Sequence, residues 1–215
     1  MSFNFLITRP EHDDTTFYLS NWCKESIDLA EKKGAKISDL HRDKANKKEF
    51  EGRISKSGPE LVVLNGHGDE NSVTGHKNEE LISIKSDEKI LKLNIVYAIS
   101  CRSAKNLGKK CVEKGTNCYV GYTDDFIFVY EKEKISRPLT DETAKLFLEP
   151  SKLFIEAVIK NNSVKDALER SRKKIQENFI RTLSGNEQET ALARYLWWNL
   201  RNFVSLGDQE SKIMN

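Results

Sequence analysis

Short apolar runs alternate with segments of helical periodicity along the first 125 residues of the chain. Two of these runs are rich in β-branched residues and end abruptly: residues 61–66 end at His67, and residues 94–100 end at Cys101. Short continuous apolar runs are typical of strands that are buried on both faces of a sheet. The sequence therefore predicts two interior strands that end at a histidine and a cysteine.

Three further runs complete the predicted sheet, while residues 72–74 and 81–84 form the arms of a separate hairpin. The additional sheet strands cover residues 3–7, 36–40 and 117–122. Strands that alternate with helices form βαβ units, which build a mainly parallel sheet covered on both faces. The predicted fold class is α/β, with three layers in the order helix, sheet, helix.

Helices are predicted between the strands from apolar residues spaced three and four positions apart. The first helix is expected to be capped by Asp14 or Thr15 and to end at Gly34. Two further helices are expected over residues 46–56 and 102–114.

The last third of the chain has a mostly helical pattern. We assign residues 1–150 to an α/β core and residues 151–215 to a helical extension that packs on this core within one domain. The segment 191–206, which includes Trp197 and Trp198, is too apolar to be exposed to solvent. It is expected to pack on the core or to bind a partner, either a second copy of the chain or a regulatory protein.

The composition is that of a globular protein with a heavily charged surface, since 38% of the 215 residues are hydrophobic and 32% are charged. A net charge of +2 is too small to indicate nucleic-acid binding. No apolar run approaches the length of a membrane span, and the first residues lack the pattern of a signal peptide. These features predict a cytoplasmic protein that binds neither nucleic acid nor membrane.

The four cysteines, Cys23, Cys101, Cys111 and Cys118, lie far apart and form no C-x-x-C pair. This spacing fits neither a zinc site nor a disulfide framework, so reduced thiols are expected. Cys23 and Cys111 fall within the apolar stripes of predicted helices, which assigns them to core packing.

Three of the four histidines, His12, His41 and His76, lie in predicted polar loops, where surface positions are expected. They form no i, i+4 pair on a helix, so the pattern does not support a metal site. No metal ion or other cofactor is expected.

His67 and Cys101 carry the predicted chemistry. If their strands are parallel neighbours, both side chains emerge at the carboxyl edge of the sheet, where open α/β sheets bind ligands. Gly66 and Gly68 flank the histidine and allow the backbone to approach a ligand closely. A thiol beside an imidazole is the minimum equipment for nucleophilic catalysis. Arg102 and the start of the helix after it are expected to lower the pKa of the thiol.

The motif Asn-Gly-His-Gly over residues 65–68 and the motif Ala-Ile-Ser-Cys over residues 98–101 resemble those of the caspase-like cysteine peptidases (clan CD). That superfamily includes caspases, metacaspases, gingipains, clostripain, separase and CHAT-domain proteins. The interval of 34 residues between His67 and Cys101 is closer to the CHAT and gingipain-like branch than to caspases, whose histidine lies about 50 residues upstream of the cysteine. The resemblance covers residues 3–125 and implies a caspase-like α/β/α fold.

The resemblance also implies a cysteine endopeptidase that acts on a protein or peptide substrate. Cys101 would attack the scissile carbonyl as a thiolate, and His67 would act as the general base or as the acid that protonates the leaving amine. The backbone N–H groups of Gly68 and Cys101 would bind the developing oxyanion. The family requires no third catalytic residue, and none is assigned.

Two departures from the family pattern leave other functions open. Residues 99–103 read Ile-Ser-Cys-Arg-Ser in place of the caspase Q-A-C-x-G signature, and the acidic residue that metacaspases carry two positions before the cysteine is Ile99 here. The domain could be a catalytically silent binding or scaffolding module. It could also be a small-molecule amidase that uses the same dyad.

Two groups of charged residues are candidates for substrate recognition beside Cys101. Asp124 and Asp125 follow the strand after the cysteine strand, whereas Arg9 ends the first strand on the other side. A carboxylate would select a basic P1 residue, and an arginine would select an acidic one. The acidic turn over residues 11–14 is expected to neutralise Arg9. Because several relatives, among them clostripain, separase and one type of gingipain, cut after arginine, a basic P1 residue is favoured.

Overall fold

A six-stranded sheet forms the centre of the part of the chain that the computed structural model describes, residues 2–213. The strands are β1 (Asn4–Arg9), β2 (Lys36–His41), β3 (Leu61–Asn65), β4 (Ser72–Thr74), β5 (Glu80–Ser83), β6 (Ile95–Ile99), β7 (Cys118–Tyr122) and β8 (Phe203–Gly207). The sheet order is β2-β1-β3-β6-β7-β8, and β4 and β5 form a separate antiparallel hairpin. The first five strands of the sheet are parallel, and β8 runs antiparallel to β7.

Helices cover both faces of this sheet. They are α1 (Asp14–Lys32), α2 (Lys47–Ser57), α3 (Glu88–Leu91), α4 (Leu107–Glu113), α5 (Glu142–Ile159), α6 (Val164–Leu183) and α7 (Glu187–Asn202). None of the helices within residues 2–213 combines the length and the apolar composition needed to cross a lipid bilayer.

Alternate residues of each strand point to opposite faces of the sheet and enter two separate cores. Ile7 and Val63 lie in the core beneath α1 and α5, whereas Leu6 and Val62 lie in the core beneath α2 and α4. All four side chains are fully buried, and burial of each contributes about 1.5–3 kcal/mol. Because both faces are covered, the central strands β3 and β6 are apolar at every position except Asn65, the last residue of β3. The predicted three-layer α/β/α architecture is confirmed.

The start of α1 differs from the prediction, because Asp13 caps the helix in place of Asp14 or Thr15. The N–H of Thr16 donates to Asp13 Oδ1 at 2.8 Å, and Thr16 Oγ1 accepts from the N–H of Asp13 at 3.2 Å. This reciprocal capping box satisfies two amides that a helix start leaves without partners. The difference matters for the site, because it fixes the backbone and one carboxylate oxygen of Asp13.

The predicted helix over residues 102–114 is wrong in its first turn, since α4 begins at Leu107. The chain after Cys101 instead makes a tight turn in which Arg102 has a φ of +55°. The N–H of Arg102 donates to Asp124 O, and the N–H of Ala104 donates to Tyr122 O. These bonds tie the turn to the end of β7, and the helix that was expected to begin beside Cys101 begins at Leu107 instead.

The C-terminal extension contributes a strand, β8, which the sequence pattern did not predict. Residues 203–207 pair with β7 along its whole length and thereby extend the central sheet. The proposed boundary at residue 150 lies inside α5. The apolar segment 191–206 therefore consists of the end of α7 followed by a sheet strand.

Candidate active site

The two strands that carry the predicted chemistry are parallel neighbours. In the register of β3 against β6, Asn65 pairs with Ile99. His67 and Cys101 each lie two residues beyond this pair, at the carboxyl edge of the sheet. The prediction that both residues leave the sheet side by side is confirmed.

The loop that carries His67 is held by the β4–β5 hairpin. The carbonyl of His67 accepts hydrogen bonds from the N–H of Thr74 at 2.9 Å and from Thr74 Oγ1 at 3.1 Å. Gly66 has a φ of +157°, and a Cβ at this position would overlap the Thr74 carbonyl. Glycine is required there because the hairpin backbone passes so close to the chain.

Asp13, at the start of α1, binds the imidazole of His67. The distance from Asp13 Oδ2 to His67 Nε2 is 2.6 Å. Burial raises the pKa of the Asp13 carboxyl, but hydrogen bonds from Thr16 and His67 outweigh it and hold the pKa below its ordinary value. Within residues 2–213, Nδ1 of His67 makes no hydrogen bond, so it is the ring nitrogen left for proton transfer.

The prediction that His12, His41 and His76 lie at the surface in loops is wrong in part, because His12 and His76 are largely buried and His41 is the last residue of β2. The side chains of His12 and His76 are each only 12% exposed. Their rings meet at a centroid distance of 5.5 Å, and the His12 ring also contacts His67 at 5.9 Å. The third, His41, is 36% exposed and pairs with Glu11 at 2.9 Å. The loop after β1, the loop after β3 and the β4–β5 hairpin thus bring His12, His67 and His76 together at one edge of the sheet.

Cys101 is the one cysteine of the four that is not fully buried. Its Sγ donates to the carbonyl of Phe126 at 3.8 Å. Burial raises the pKa of the thiol, and the nearby Asp125 carboxylate acts in the same direction. The expectation of a thiol with a lowered pKa is wrong, because the helix after Cys101 starts too late and Arg102 is paired with Asp125 at 3.0 Å.

The dyad is not hydrogen-bonded in the part of the chain that the structure describes: the His67 ring binds Asp13, and the Cys101 thiol binds Phe126. The two backbone amides assigned to the oxyanion hole are unengaged. Neither the N–H of Gly68 nor that of Cys101 donates a hydrogen bond within residues 2–213. Both amides are therefore available to a ligand.

Helix α7 holds the segment that forms the wall beside Cys101. Asn199, which is 2% exposed, accepts from the N–H of Ile127 at 3.0 Å and donates to the carbonyl of Ile127 at 2.6 Å. Trp198 Nε1 donates to the carbonyl of Asp125 at 2.9 Å. Helix α7 thus positions the segment beside Cys101, and the indole N–H of Trp198 binds within the chain and not to a partner. Trp197, by contrast, is 46% exposed.

The two acidic residues assigned to substrate binding lie at the start of this segment. The N–H of Asp125 donates to Asp124 Oδ1 at 2.8 Å, and the carboxylate of Asp125 pairs with Arg102. Both members of that ion pair are close to half exposed. Exposed ion pairs contribute little stability, so a cationic ligand can compete with Arg102 for the carboxylate.

Arg9 lies at the end of β1 and is held by a different element. Its side chain is 7% exposed and bonds the carboxylate of Asp39, on β2, at 2.9 and 2.5 Å. A third bond goes to Ser20 on α1 at 3.2 Å. The acidic turn that was expected to neutralise it does not, because Glu11 pairs with Arg42 and His41 instead.

A surface pocket of about 470 Å³ opens beside His67. Its lining consists of His67, Gly68, Asp69, Ser72, Thr74 and Asn78. The hairpin forms one wall of this pocket, so a ligand that reaches His67 also contacts the hairpin backbone.

Sequence reasoning missed Asp13 as a functional residue. The signal was the Asp-x-x-Thr spacing of Asp13 and Thr16, which indicates a helix start at Asp13. It could have located the cap, but it carried no information about which residue Asp13 Oδ2 contacts. Sequence reasoning also missed Asn199, because the role of Asn199 depends on the path of residues 124–127 in the folded chain.

A comparison with solved structures finds the same fold in the arginine-specific cysteine proteinase gingipain R. The TM-score is 0.61 at 10% sequence identity, and the match covers 97% of this chain and 46% of the gingipain chain. The chain thus spans less than half of the length of that protein. The similarity shows a caspase-like α/β/α fold, as the sequence predicted. No protein-family model matches the chain, and comparison with curated proteins found no match.

Proposed function

We propose that the protein is a cysteine endopeptidase whose nucleophile is Cys101 and whose acid–base residue is His67. The observation that carries the proposal is their placement on adjacent parallel strands, each two residues beyond the Asn65–Ile99 pair. Three facts support it. Cys101 is the accessible cysteine, His67 is oriented by a carboxylate, and the fold is that of a known cysteine proteinase. The similarity of fold to gingipain R agrees with the gingipain-like branch that the sequence resembles.

The mechanism follows from the groups present. Because burial raises the pKa of the Cys101 thiol, His67 removes its proton as the substrate binds. Sγ then bonds to the scissile carbonyl carbon, and the oxyanion is held by the free N–H groups of Gly68 and Cys101. When the C–N bond breaks, His67 returns the proton to the leaving amine. Water, activated by His67, hydrolyses the thioester and releases the carboxylic acid and the thiol.

We propose a preference for arginine or lysine at P1, read by Asp124 and Asp125. The carboxylates lie on the segment that also provides the Phe126 carbonyl next to Cys101. Arg9 does not support an acidic P1 residue, because Asp39 neutralises it in a buried position. The specificity named for gingipain R, which is for arginine, agrees with this proposal.

The dyad is tested with fluorogenic peptide libraries and three variants. Cys101→Ala and His67→Ala are expected to abolish turnover, whereas His41→Gln, a histidine bound to Glu11 outside the site, retains it. Labelling by a peptidyl acyloxymethyl ketone should fall on Cys101. Labelling spread over the buried cysteines with none at Cys101, or full turnover by Cys101→Ala, would refute the dyad.

Specificity is tested by the same library in Asp124→Asn and Asp125→Asn variants. A basic P1 preference that weakens in these variants supports the proposal that the two acidic residues recognise the P1 side chain. Loss of Asp125 also frees Arg102, so Asp125→Asn should raise the relative turnover of acidic P1 substrates. Turnover of P1 aspartate alone by the wild type would contradict the proposal.

A catalytically silent binding module is the second candidate. The observation that favours it is the environment of Cys101. The pKa of its thiol is raised, and the thiol donates a hydrogen bond to the Phe126 carbonyl instead of to an imidazole. This candidate predicts no turnover of peptides or simple amides by the wild type. It also predicts that Cys101→Ala retains full affinity for any peptide that the wild type binds.

A further inference from the structure

The residues around His67 form a set of metal-ligand atoms that the dyad does not require. One ligand atom from each of His12, Asp13 and His67 lies within 4.8 Å of the other two. Asp13 Oδ2 is central to the set, at 2.6 Å from His67 Nε2 and 3.5 Å from His12 Nε2. Its other oxygen, Oδ1, is committed to the cap of α1. One carboxylate oxygen therefore faces two imidazole nitrogens.

We propose that these three side chains bind a zinc ion, and that the ion regulates the enzyme by withdrawing His67 from the dyad. The regulatory effect rests on the proposed peptidase function, whereas the binding itself does not. Two imidazoles and one carboxylate form a donor set that zinc accepts, with a fourth position left open. Calcium and magnesium prefer oxygen donors, so they fit this set poorly.

The three donor atoms lie within 4.8 Å of one another, so side-chain rotation has to bring them to the spacing that zinc requires. Tetrahedral zinc with bonds of about 2.0–2.1 Å places its donor atoms roughly 3.3 Å apart. The His12–Asp13 distance of 3.5 Å is already close to this value, while the His67–Asp13 contact must open slightly. The side chains of His67 and Asp13 are 41% and 39% exposed, so an ion can enter from solvent and keep a water at its fourth position.

A second observation concerns His12. Its ring is largely buried, yet its Nδ1 has no hydrogen-bond partner in the part of the chain described by the structure. Its Nε2 faces Asp13 and also lies 3.2 Å from Asn78 Oδ1. A buried imidazole with one nitrogen unpaired and the other aimed at a carboxylate is costly to maintain for packing alone.

The same observation predicts the strength of the site. Metal-bound histidines usually donate a hydrogen bond from their second ring nitrogen to an acceptor. Loss of that acceptor lowers the affinity for the metal by about 10- to 100-fold. His12 Nδ1 lacks an acceptor. The site should therefore be weaker than a structural zinc site and exchange its ion reversibly, as regulation requires. An ion on His67 Nε2 leaves the remaining ring proton on Nδ1, so this nitrogen can no longer accept the proton of Cys101.

The binding is measured in Cys101→Ala protein, so that the thiol cannot contribute a ligand. Zinc is titrated in competition with a chromophoric chelator, and one ion per chain is expected. His12→Gln and Asp13→Asn should weaken the binding by about tenfold or more. Asn also caps helices well, so α1 is retained. The matched control is His41→Gln, which removes a histidine outside the set and should bind zinc as the parent does.

Equal zinc affinity in His12→Gln, Asp13→Asn and the parent would overturn the proposal, as would competition by millimolar calcium or magnesium. Circular dichroism of each variant verifies that it is folded, and zinc-induced shifts of the His12 and His67 ring resonances identify the ligands directly.

The regulatory effect is measured separately in the wild-type enzyme. Zinc should inhibit peptide turnover, chelator should reverse the inhibition, and the zinc concentration for half-inhibition should rise about tenfold in His12→Gln. If the wild type proves inactive, the binding titration still decides the site. If zinc inhibits His12→Gln as strongly as the wild type, the inhibiting ion binds Cys101 and His67 directly, and the regulatory proposal is wrong.

Discussion

Asp13 and His67 are 54 residues apart in the chain, and the oxygen Oδ2 of Asp13 lies 2.6 Å from Nε2 of His67. The other oxygen of the same carboxylate caps α1 through the N–H of Thr16. One side chain thus joins the start of a helix to the candidate acid–base residue. The capped helix gives the carboxylate a fixed position, and the carboxylate in turn fixes the imidazole ring.

Two substitutions of Asp13 separate its two roles. Asp13→Asn keeps a good N-cap, so the free energy of unfolding should change little, whereas Asp13→Ala should lose about 1 kcal/mol. Both variants remove the charged partner of His67. We expect both to lower kcat by roughly 10²-fold, the low end of what a positioned acid–base group contributes. Urea unfolding and peptide turnover measure the two effects, and normal kcat in Asp13→Asn would exclude a positioning role.

The reactivity of Cys101 should depend on pH in the alkaline range. Because burial and Asp125 raise the pKa of this thiol, it is protonated at neutral pH and its thiolate fraction grows as the pH rises. The rate of iodoacetamide labelling should therefore keep rising with pH, beyond the pH range in which an ordinary thiol ionises. Mass spectrometry locates the label, with the buried cysteines labelled only after denaturation. A labelling rate that is already maximal at pH 7 would contradict the prediction.

Asn199 should be required for both stability and activity. Asn199→Leu keeps the volume of the side chain but leaves the N–H and the carbonyl of Ile127 without partners. We expect a loss of about 2 kcal/mol in the free energy of unfolding and a fall in kcat/KM, because the wall beside Cys101 loosens. Trp197→Ala, an exposed position on the same helix, serves as the control and should stay within about 0.5 kcal/mol of the wild type.

Arg9 should affect stability without affecting specificity. Asp39→Asn leaves the buried guanidinium without its charged partner, which should cost about 3 kcal/mol. Because Arg9 makes its bonds to β2 and α1, the P1 preference of the folded variant should equal that of the wild type. Thermal unfolding gives the first quantity and library profiling the second. A changed P1 preference in Asp39→Asn would show that Arg9 contributes to P1 recognition.

The sequence predicted the interior strands well, because β3 and β6 are apolar except for Asn65 at the end of β3, and both lie between two helical layers. Periodicity also located α1 and α2, whose buried residues recur on one face. It failed where hydrogen bonds to distant backbone override local preference. Residues 102–106 bond to the ends of other elements instead of forming a helical turn, and β8 exists only because the edge of β7 is free to pair with it.

His67 and Cys101 could be found in the sequence because each follows a strand that is recognisable by itself, and parallel neighbours present their carboxyl ends at one edge of the sheet. What surrounds them was decided by the tertiary structure alone. The contact of Asp13 with His67, the burial that raises the pKa of the thiol and the approach of His12 all join residues from separate elements. Local pattern determines which segments form strands and helices, whereas distances of 3 Å between side chains depend on how those elements pack.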